Sequence, residues 1–441
     1  MNKTISICIV GAGSSYTPEL IEGILQQSID VLPITMINMM DTDVRRLEIM
    51  AALSRRMIKK SGRPVIVHHD IRLERMLAGV DFVITQVRVG GMAARYLDES
   101  IPVKYGLLGQ ETTGAGGMFK ALRTIPKMID IANAVARIAP QAFILNYTNP
   151  SGMITEAVSR FTDAKIIGLC SGIPGIQNAL RAQFEKDYPD FRSRCVGLNH
   201  LGFIHQFFSG NTNITDSIID ALAAIDKLHL NDEAAKARAQ IIIQVKEPSI
   251  IGIIRAVPIG YLDYFFARNH KLEAARAAVN SVTCRSQQVM EIERKILAEA
   301  ADPAVDYKPA ALAQRGGGGY SMVTFTAMKA IWNNTGEELA TSVRNNGAVE
   351  GIDNTAIVEV VCSINGKGAT PLPVGPIPPA FRGLIQAVKA YESLTVEAAV
   401  TKNRRIALQA MLNHPLMGDL DICTPMLDEM AAAHHLELKN T

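Results

Sequence analysis

The stretch that most constrains the fold is Ile5 to Leu25, ISICIVGAGSSYTPELIEGIL. A short run, apolar but for Ser6, meets a glycine turn, and the turn passes straight into a helical pattern. Gly11 and Gly13 permit a sharp turn and a close approach of backbone to a pyrophosphate, and a helix starting there aims its free amides at an anion. Thr17 reads as the N-cap of that helix and Pro18 as its first residue, since a hydroxyl satisfies a free amide and proline lacks one. The third glycine of G-x-G-x-x-G is replaced by Tyr16, so the motif alone also fits an ordinary strand-turn-helix unit. A second apolar run, Ile34 to Met40, ends at Asp41, where a carboxylate at a strand end can take the ribose hydroxyls of an adenosine. Gly11, Gly13, Ser14, Ser15, Tyr16 and Asp41 are therefore the expected dinucleotide contacts.

Similar apolar, β-branched runs recur at Val65 to His68, Asp81 to Val87, Ala142 to Tyr147 and Lys165 to Leu169. Helical patterns lie between them, notably Asp43 to Lys60 and Lys120 to Ile138. That alternation predicts an α/β fold, a Rossmann-like doubly wound parallel sheet covered on both faces, with ligands beyond the carboxyl ends of its strands. We divide the chain into an NAD-binding domain, 1–170, and a C-terminal α/β domain, 171–441, carrying substrate, metal and oligomer contacts. From about residue 212 the pattern is mainly helical, with helices expected over Phe381 to Leu412 and, capped by Thr424, over Pro425 to Leu436. Without a repeat or linker, the second half should pack on the first as one unit.

Charged residues make up 20% of the 441 and the net charge is +2, which does not ask for nucleic acid or a membrane surface as a partner. A small polar metabolite is the simpler expectation. MNKT leads directly into a strand with no signal-peptide pattern, so the cytoplasm is the expected compartment. Cys8, Cys170, Cys195, Cys284, Cys362 and Cys423 are scattered singly, which argues against zinc ribbons and dithiols and for buried small hydrophobes. Cys170 is the exception argued next.

Strand ends are the places to search. After the fourth strand, Arg88 and Arg95 flank Gly90 and Gly91, and a polar loop runs through Gln110, Glu111, Thr112 and Thr113 to Gly114, Gly116 and Gly117. Guanidinium forks suit phosphate or carboxylate ligands, although each arginine could instead pair with Asp98 or Glu99. The fifth strand ends in NYTNPSGM with Asn149, the sixth in GLCSGIPG with Cys170, and His200 follows in GLNHLGFIH. A cysteine and a histidine at strand ends could share a divalent metal whose other positions go to substrate and water, or could simply be core residues. Tyr261 and Tyr264 in YLDYFF, three apart on a helix, read as core. Four glycines after Arg315 are harder to explain by packing.

Taken in order, GAGSSYTPEL, RVGGMAARYLDE, GLLGQETTGAGG, NYTNPSGMITEA, GLC, GLNHLG, YLDYFF, RGGGGYS and LPVGPIPP resemble glycoside hydrolase family 4, the NAD- and manganese-dependent glycosidases, and especially its 6-phospho-β-glucosidases. The resemblance implies NAD and Mn2+ as cofactors, Cys170 and His200 as metal ligands, and Tyr261 as catalytic base with Tyr264 as the alternative. It also implies Arg95, Asn149 and Arg315 as contacts to the sugar and its 6-phosphate, and places Glu111 in the active-site loop. The implied chemistry is oxidation at carbon 3, removal of the carbon 2 proton, elimination of the aglycone, addition of water and re-reduction. A homodimer or homotetramer built from the C-terminal helices is implied as well.

One departure stands out. Family members acting on 6-phosphoglucosides usually follow the cysteine with Asn or Asp, an apolar residue and Pro, whereas this chain has Ser171, Gly172, Ile173 and Pro174. Ser171 is thus a candidate substrate contact that makes a poor general acid. Two other readings stay open beside the glycosidase: an NAD-dependent sugar-phosphate dehydrogenase, and a non-catalytic binding protein. Within the glycosidases, α-linked or unphosphorylated substrates stay open too.

Overall fold

The computed structural model describes residues 4–224, 239–316 and 318–440. Six strands, β1 (Ile5–Val10), β2 (Ile34–Met40), β3 (Ile66–Asp70), β4 (Phe82–Thr85), β5 (Phe143–Asn146) and β6 (Lys165–Gly168), pair in parallel in the order β3-β2-β1-β4-β5-β6. β4 and β5 have no exposed residue at all, so their apolar runs follow from burial on both faces, whereas the edge strand β3 is largely exposed. Helices α1 (Thr17–Gln26), α2 (Val44–Ser61), α3 (Leu73–Leu77), α4 (Gly91–Lys104), α5 (Gly114–Ile138) and α6 (Ser151–Phe161) connect them. In α2 the Asp43 carboxylate accepts from the Arg46 amide, Leu47, Met50, Ala51, Leu53, Met57 and Ile58 face the core, and left-handed Gly62 ends the helix.

The parallel sheet does not stop at β6. After the small sheet come β11 (Glu337–Arg344), β13 (Ile357–Asn365) and β14 (Gly368–Pro371), which extend it antiparallel to nine strands, β14-β13-β11-β6-β5-β4-β1-β2-β3. These strands lie where the sequence pattern predicted helix, and the sheet crosses the expected division at residue 170. Gly168 makes the junction: a β-carbon there would sit 2.8 Å from that of Ser342 and 2.5 Å from Thr155 Oγ1. The small sheet consists of β7 (Phe191–Leu198), β8 (Leu201–Ser209), β9 (Thr212–Asn213) and β10 (Val257–Pro258), and β12 (Val349–Glu350) pairs with β15 (Gly375–Pro376).

Two helix boundaries differ from expectation. The run from Phe381 to Leu412 forms two helices, Pro379–Thr401 and Arg404–Asn413, because Lys402 is left-handed and Asn403 accepts from the Ile406 amide to start a new one. The final helix begins at Leu420, capped by Asp419 rather than Thr424, and carries Pro425 inside it. Among the described residues no helix is long and apolar enough to cross a membrane.

Candidate active site

The carboxyl end of β1 carries the glycine turn. Gly11 has φ +88°, and a β-carbon there would lie 2.8 Å from the Gln86 carbonyl. At Gly13 it would lie 2.9 Å from both Asp41 Oδ2 and the Arg46 β-carbon, so the turn is a cradle only glycine fills. Asp41 accepts from the amides of Gly13 (2.8 Å) and Asp43 (2.9 Å), which fixes the carboxylate while each oxygen keeps a second acceptor position. Thr17 is not the cap: Tyr16 precedes the helix, Thr17 is its first residue and Pro18 its second. The Thr17 hydroxyl instead donates to the Ala12 carbonyl (2.8 Å) and accepts from Gln86 (2.9 Å), tying β1 to β4. Ser14 Oγ accepts from the Tyr16 amide, whereas Ser15, fully buried, donates to Glu293 Oε1 at 3.1 Å. The Tyr16 hydroxyl donates to the Gly316 carbonyl, and its ring meets Tyr320 edge-on at 4.9 Å. Of the four glycines after Arg315, Gly317 lies outside the described residues.

The loop after β4 and the start of α5 form a charged cluster. Glu111 pairs with Arg88 (2.5 Å), Lys120 (2.8 Å) and Arg95 (3.1 Å), and Arg95 Nε also donates to Glu99 at 2.7 Å. Burial would raise the Glu111 carboxyl, but these cations outweigh it and hold it well below the usual range. Burial, reinforced by Arg88, pushes the Lys120 ammonium down to about 7. Backbone contact explains the glycines: a β-carbon on Gly109 would stand 1.7 Å from the Glu99 carbonyl, and one on Gly116 2.3 Å from that of Gln110. His414, from the C-terminal segment, pins the loop through Thr113 Oγ1 at 3.0 Å.

Cys170 lies at the end of β6, and His200 in the β7–β8 turn with φ +65°. Cys170 alone among the six cysteines is not buried, and all six are free. Burial of its sulfur nonetheless pushes the thiol up to about 12, opposed by hydrogen bonds from the Gly172 amide and the Asn199 side chain. Burial pushes His200 down to about 4, so the ring is neutral at pH 7, and its Nδ1 is buried without a protein partner. The His200 ring stacks on Tyr261 at 4.0 Å with 4° between planes. Tyr264 stands 6.2 Å from Tyr261, with Lys271 over its ring and its hydroxyl hydrogen-bonded with the Gln110 side chain. Burial raises the Tyr261 hydroxyl, Cys170 and Glu111 add to the rise, and Arg95 opposes it. Tyr261 thus joins the cysteine-histidine pair to the Glu111 cluster.

Asn149 makes only two long bonds, 3.4 Å each, to its neighbours Tyr147 and Ser151, which leaves its amide available. Ser171 is the residue before helix α7 (Gly172–Phe184), and its side chain makes no capping bond. Arg315 packs against Tyr16 and Glu293. Three residues escaped the sequence reading: Lys120, Glu293, and Glu359 on β13, which accepts from Asn199 at 2.9 Å. Only Glu359 gave a signal, a lone acid in the apolar run IVEVVCSI.

The model of the family 4 glycosyl hydrolases matches residues 6–185, and that of the family's C-terminal domain matches residues 195–417. A probable 6-phospho-beta-glucosidase of Bacillus subtilis is 35% identical over 98% of this chain and 97% of its own. The 6-phospho-beta glucosidase of Thermotoga maritima, solved with manganese, NAD+ and glucose-6-phosphate, superimposes with a TM-score of 0.85 at 31% identity, covering 99% of both chains. A 6-phospho-alpha-glucosidase from gut microorganisms, solved with NAD and glucose-6-phosphate, superimposes with a TM-score of 0.86 at 26% identity, again over 99% of both.

Proposed function

The chain belongs to family 4 of the glycosyl hydrolases, and from that premise we propose that it hydrolyses 6-phospho-β-glucosides with NAD and Mn2+ as cofactors. The observation that carries the reading is the stacking of Tyr261 on His200, beside Cys170 and facing the Glu111 cluster. No dedicated hydrolytic pair of carboxylates is needed for such a site to act.

The residues present fit both cofactors. Gly11 and Gly13 shape a cradle that a side chain would fill, with Asp41 at its edge. His200 offers a neutral ring with an unpartnered nitrogen, and Cys170 a sulfur steered by two donors, so the pair would hold the metal and leave its remaining positions to oxygen ligands. When bound, NAD supplies a hydride acceptor and donor for carbon 3, and the metal supplies positive charge for the oxygens on carbons 2 and 3. Tyr261 is placed to remove the proton from carbon 2; Arg95 opposes the rise that burial imposes on its hydroxyl, and a bound metal would oppose it further. Arg95 and Asn149 hold the sugar and its 6-phosphate, and the excess of cations around Glu111 suits a dianion. Glu111 keeps those cations in one array. Ser171 stands where an acid for the leaving group would be useful and offers only a hydroxyl.

The chain acts in the cytoplasm, where a reducing environment keeps the Cys170 ligand free. It assembles as a homodimer or homotetramer through its C-terminal helices, whose Val400, Leu412 and Leu420 are exposed apolar residues. Release of p-nitrophenol from its β-glucoside 6-phosphate, with NAD and Mn2+ supplied together and then singly, tests the proposal. Release only with both supports it. Accumulation of NADH without p-nitrophenol would instead mark a dehydrogenase, and cleavage of the α-anomer alone would transfer the reading to α-glucosides.

A further inference from the structure

Arg315 reads from the sequence as a partner of the sugar phosphate, yet its side chain is committed to the glycine turn. It is 8% exposed, its Nη2 donates to Glu293 Oε1 at 3.2 Å, and its guanidinium lies 4.9 Å over the Tyr16 ring. Its Nε is buried with no acceptor among the described residues. Glu293, on the helix Arg285–Ala301, accepts at the same oxygen from Ser15 Oγ and at the other from Arg46 Nη1 at 3.2 Å. Arg46 Nε in turn donates to the Gly13 carbonyl at 2.9 Å. One carboxylate, 278 residues from Ser15, therefore ties two guanidinium groups to the two ends of the turn.

The two arginines differ in what remains to them. Both Arg46 Nε and Nη1 are used by the protein, which makes it a brace. Arg315 keeps a buried N–H with no partner among the described residues, an arrangement costly in a folded protein unless a ligand oxygen or a water takes the bond. Its guanidinium is otherwise held beside the turn by Glu293 and the Tyr16 ring.

We propose that Arg315, held in place by Glu293, is a clasp on the pyrophosphate of the dinucleotide, closing over the glycine turn from the far half of the chain. The cofactor is then gripped by the backbone of the turn on one side and by the guanidinium on the other. Arg315 serves the cofactor rather than the sugar phosphate. The inference rests on the preceding reading of the turn as the NAD site.

The test is isothermal titration of the full-length protein with NAD, ADP-ribose and glucose 6-phosphate, for the wild type, Arg315→Ala, Arg315→Lys and Glu293→Gln. Arg315→Ala should raise the Kd for NAD and for ADP-ribose together by about tenfold, with glucose 6-phosphate unchanged within about twofold. Arg315→Lys keeps the charge without the planar fork and should show a smaller loss on the same two ligands, which preserves the test if the alanine variant does not fold. Glu293→Gln should weaken NAD in the same direction by loosening the clasp. Unchanged NAD and ADP-ribose binding, a loss confined to NAD, a loss confined to glucose 6-phosphate, or an equal loss for all three ligands would each overturn the clasp. A wild type that fails to bind NAD would count against the cofactor reading itself, and that failure shows before any variant is made.

Discussion

Tyr261 stacks on the His200 ring and feels the Cys170 sulfur, and Tyr261 or Cys170 can each be replaced with little change of shape. Tyr261→Phe keeps the stacked ring on His200 and deletes only the hydroxyl, so exchange of the carbon 2 proton should slow by roughly a hundredfold or more while NAD binding is retained. Tyr264→Phe should have a smaller effect, because that ring lies 6.2 Å beyond Tyr261 and does not stack on His200; the reverse order of the two rates would make Tyr264 the base. Cys170→Ser should lose Mn2+ affinity by at least the roughly 10- to 100-fold that even supporting partners contribute, measured by titration of the metal, with NAD affinity intact. Undiminished activity after chelation would contradict the ligand assignment. Cys170 and His200 were readable because each follows an apolar strand, whereas Tyr261 reads as core from spacing and only the family resemblance marks it as the base. Glu293 stayed hidden because its partners Ser15 and Arg46 lie far along the chain, and Lys120 because its charge looks like that of any amphipathic helix.

At the scale of elements, the loop bearing Glu111 depends on glycines that let backbone lie on backbone. Gly109→Ala has no room, with its new carbon 1.7 Å from the Glu99 carbonyl, and should destabilise the fold by about 1–3 kcal/mol and lower activity. A melting temperature and activity equal to the wild type would contradict that packing. The central parallel strands were legible because burial on both faces writes them as largely apolar runs. β11 and β13 were not, since ELATSVR and IVEVVCSIN mix charge into edge-side strands and follow a long helical stretch. Helix ends were legible only in part: a threonine beside a proline resembles a cap, but Thr17 is drawn inside the helix by its bonds to Ala12 and Gln86.

Across the whole molecule, one nine-stranded sheet and its C-terminal helices make a unit in which buried histidines contribute to the response to acid. Burial lowers His205 to about 4 and His414 to about 3, while in the unfolded chain both titrate near 6.5. Between those values the unfolded chain binds more protons, so the stability these residues contribute is whole above about 6.5 and is lost as the pH falls toward 4. Acidification from pH 7 to pH 5 should therefore cost the wild type more melting temperature than His414→Gln, and the same change in both would contradict the buried neutral ring of His414. The most direct test of the central claim, that this chain cleaves by removing a carbon 2 proton rather than by direct displacement, is hydrolysis of a 6-phospho-β-glucoside in deuterium oxide. The product glucose 6-phosphate should carry deuterium at carbon 2. Product formed at full rate with hydrogen retained there would contradict the account and leave Tyr261 without its role.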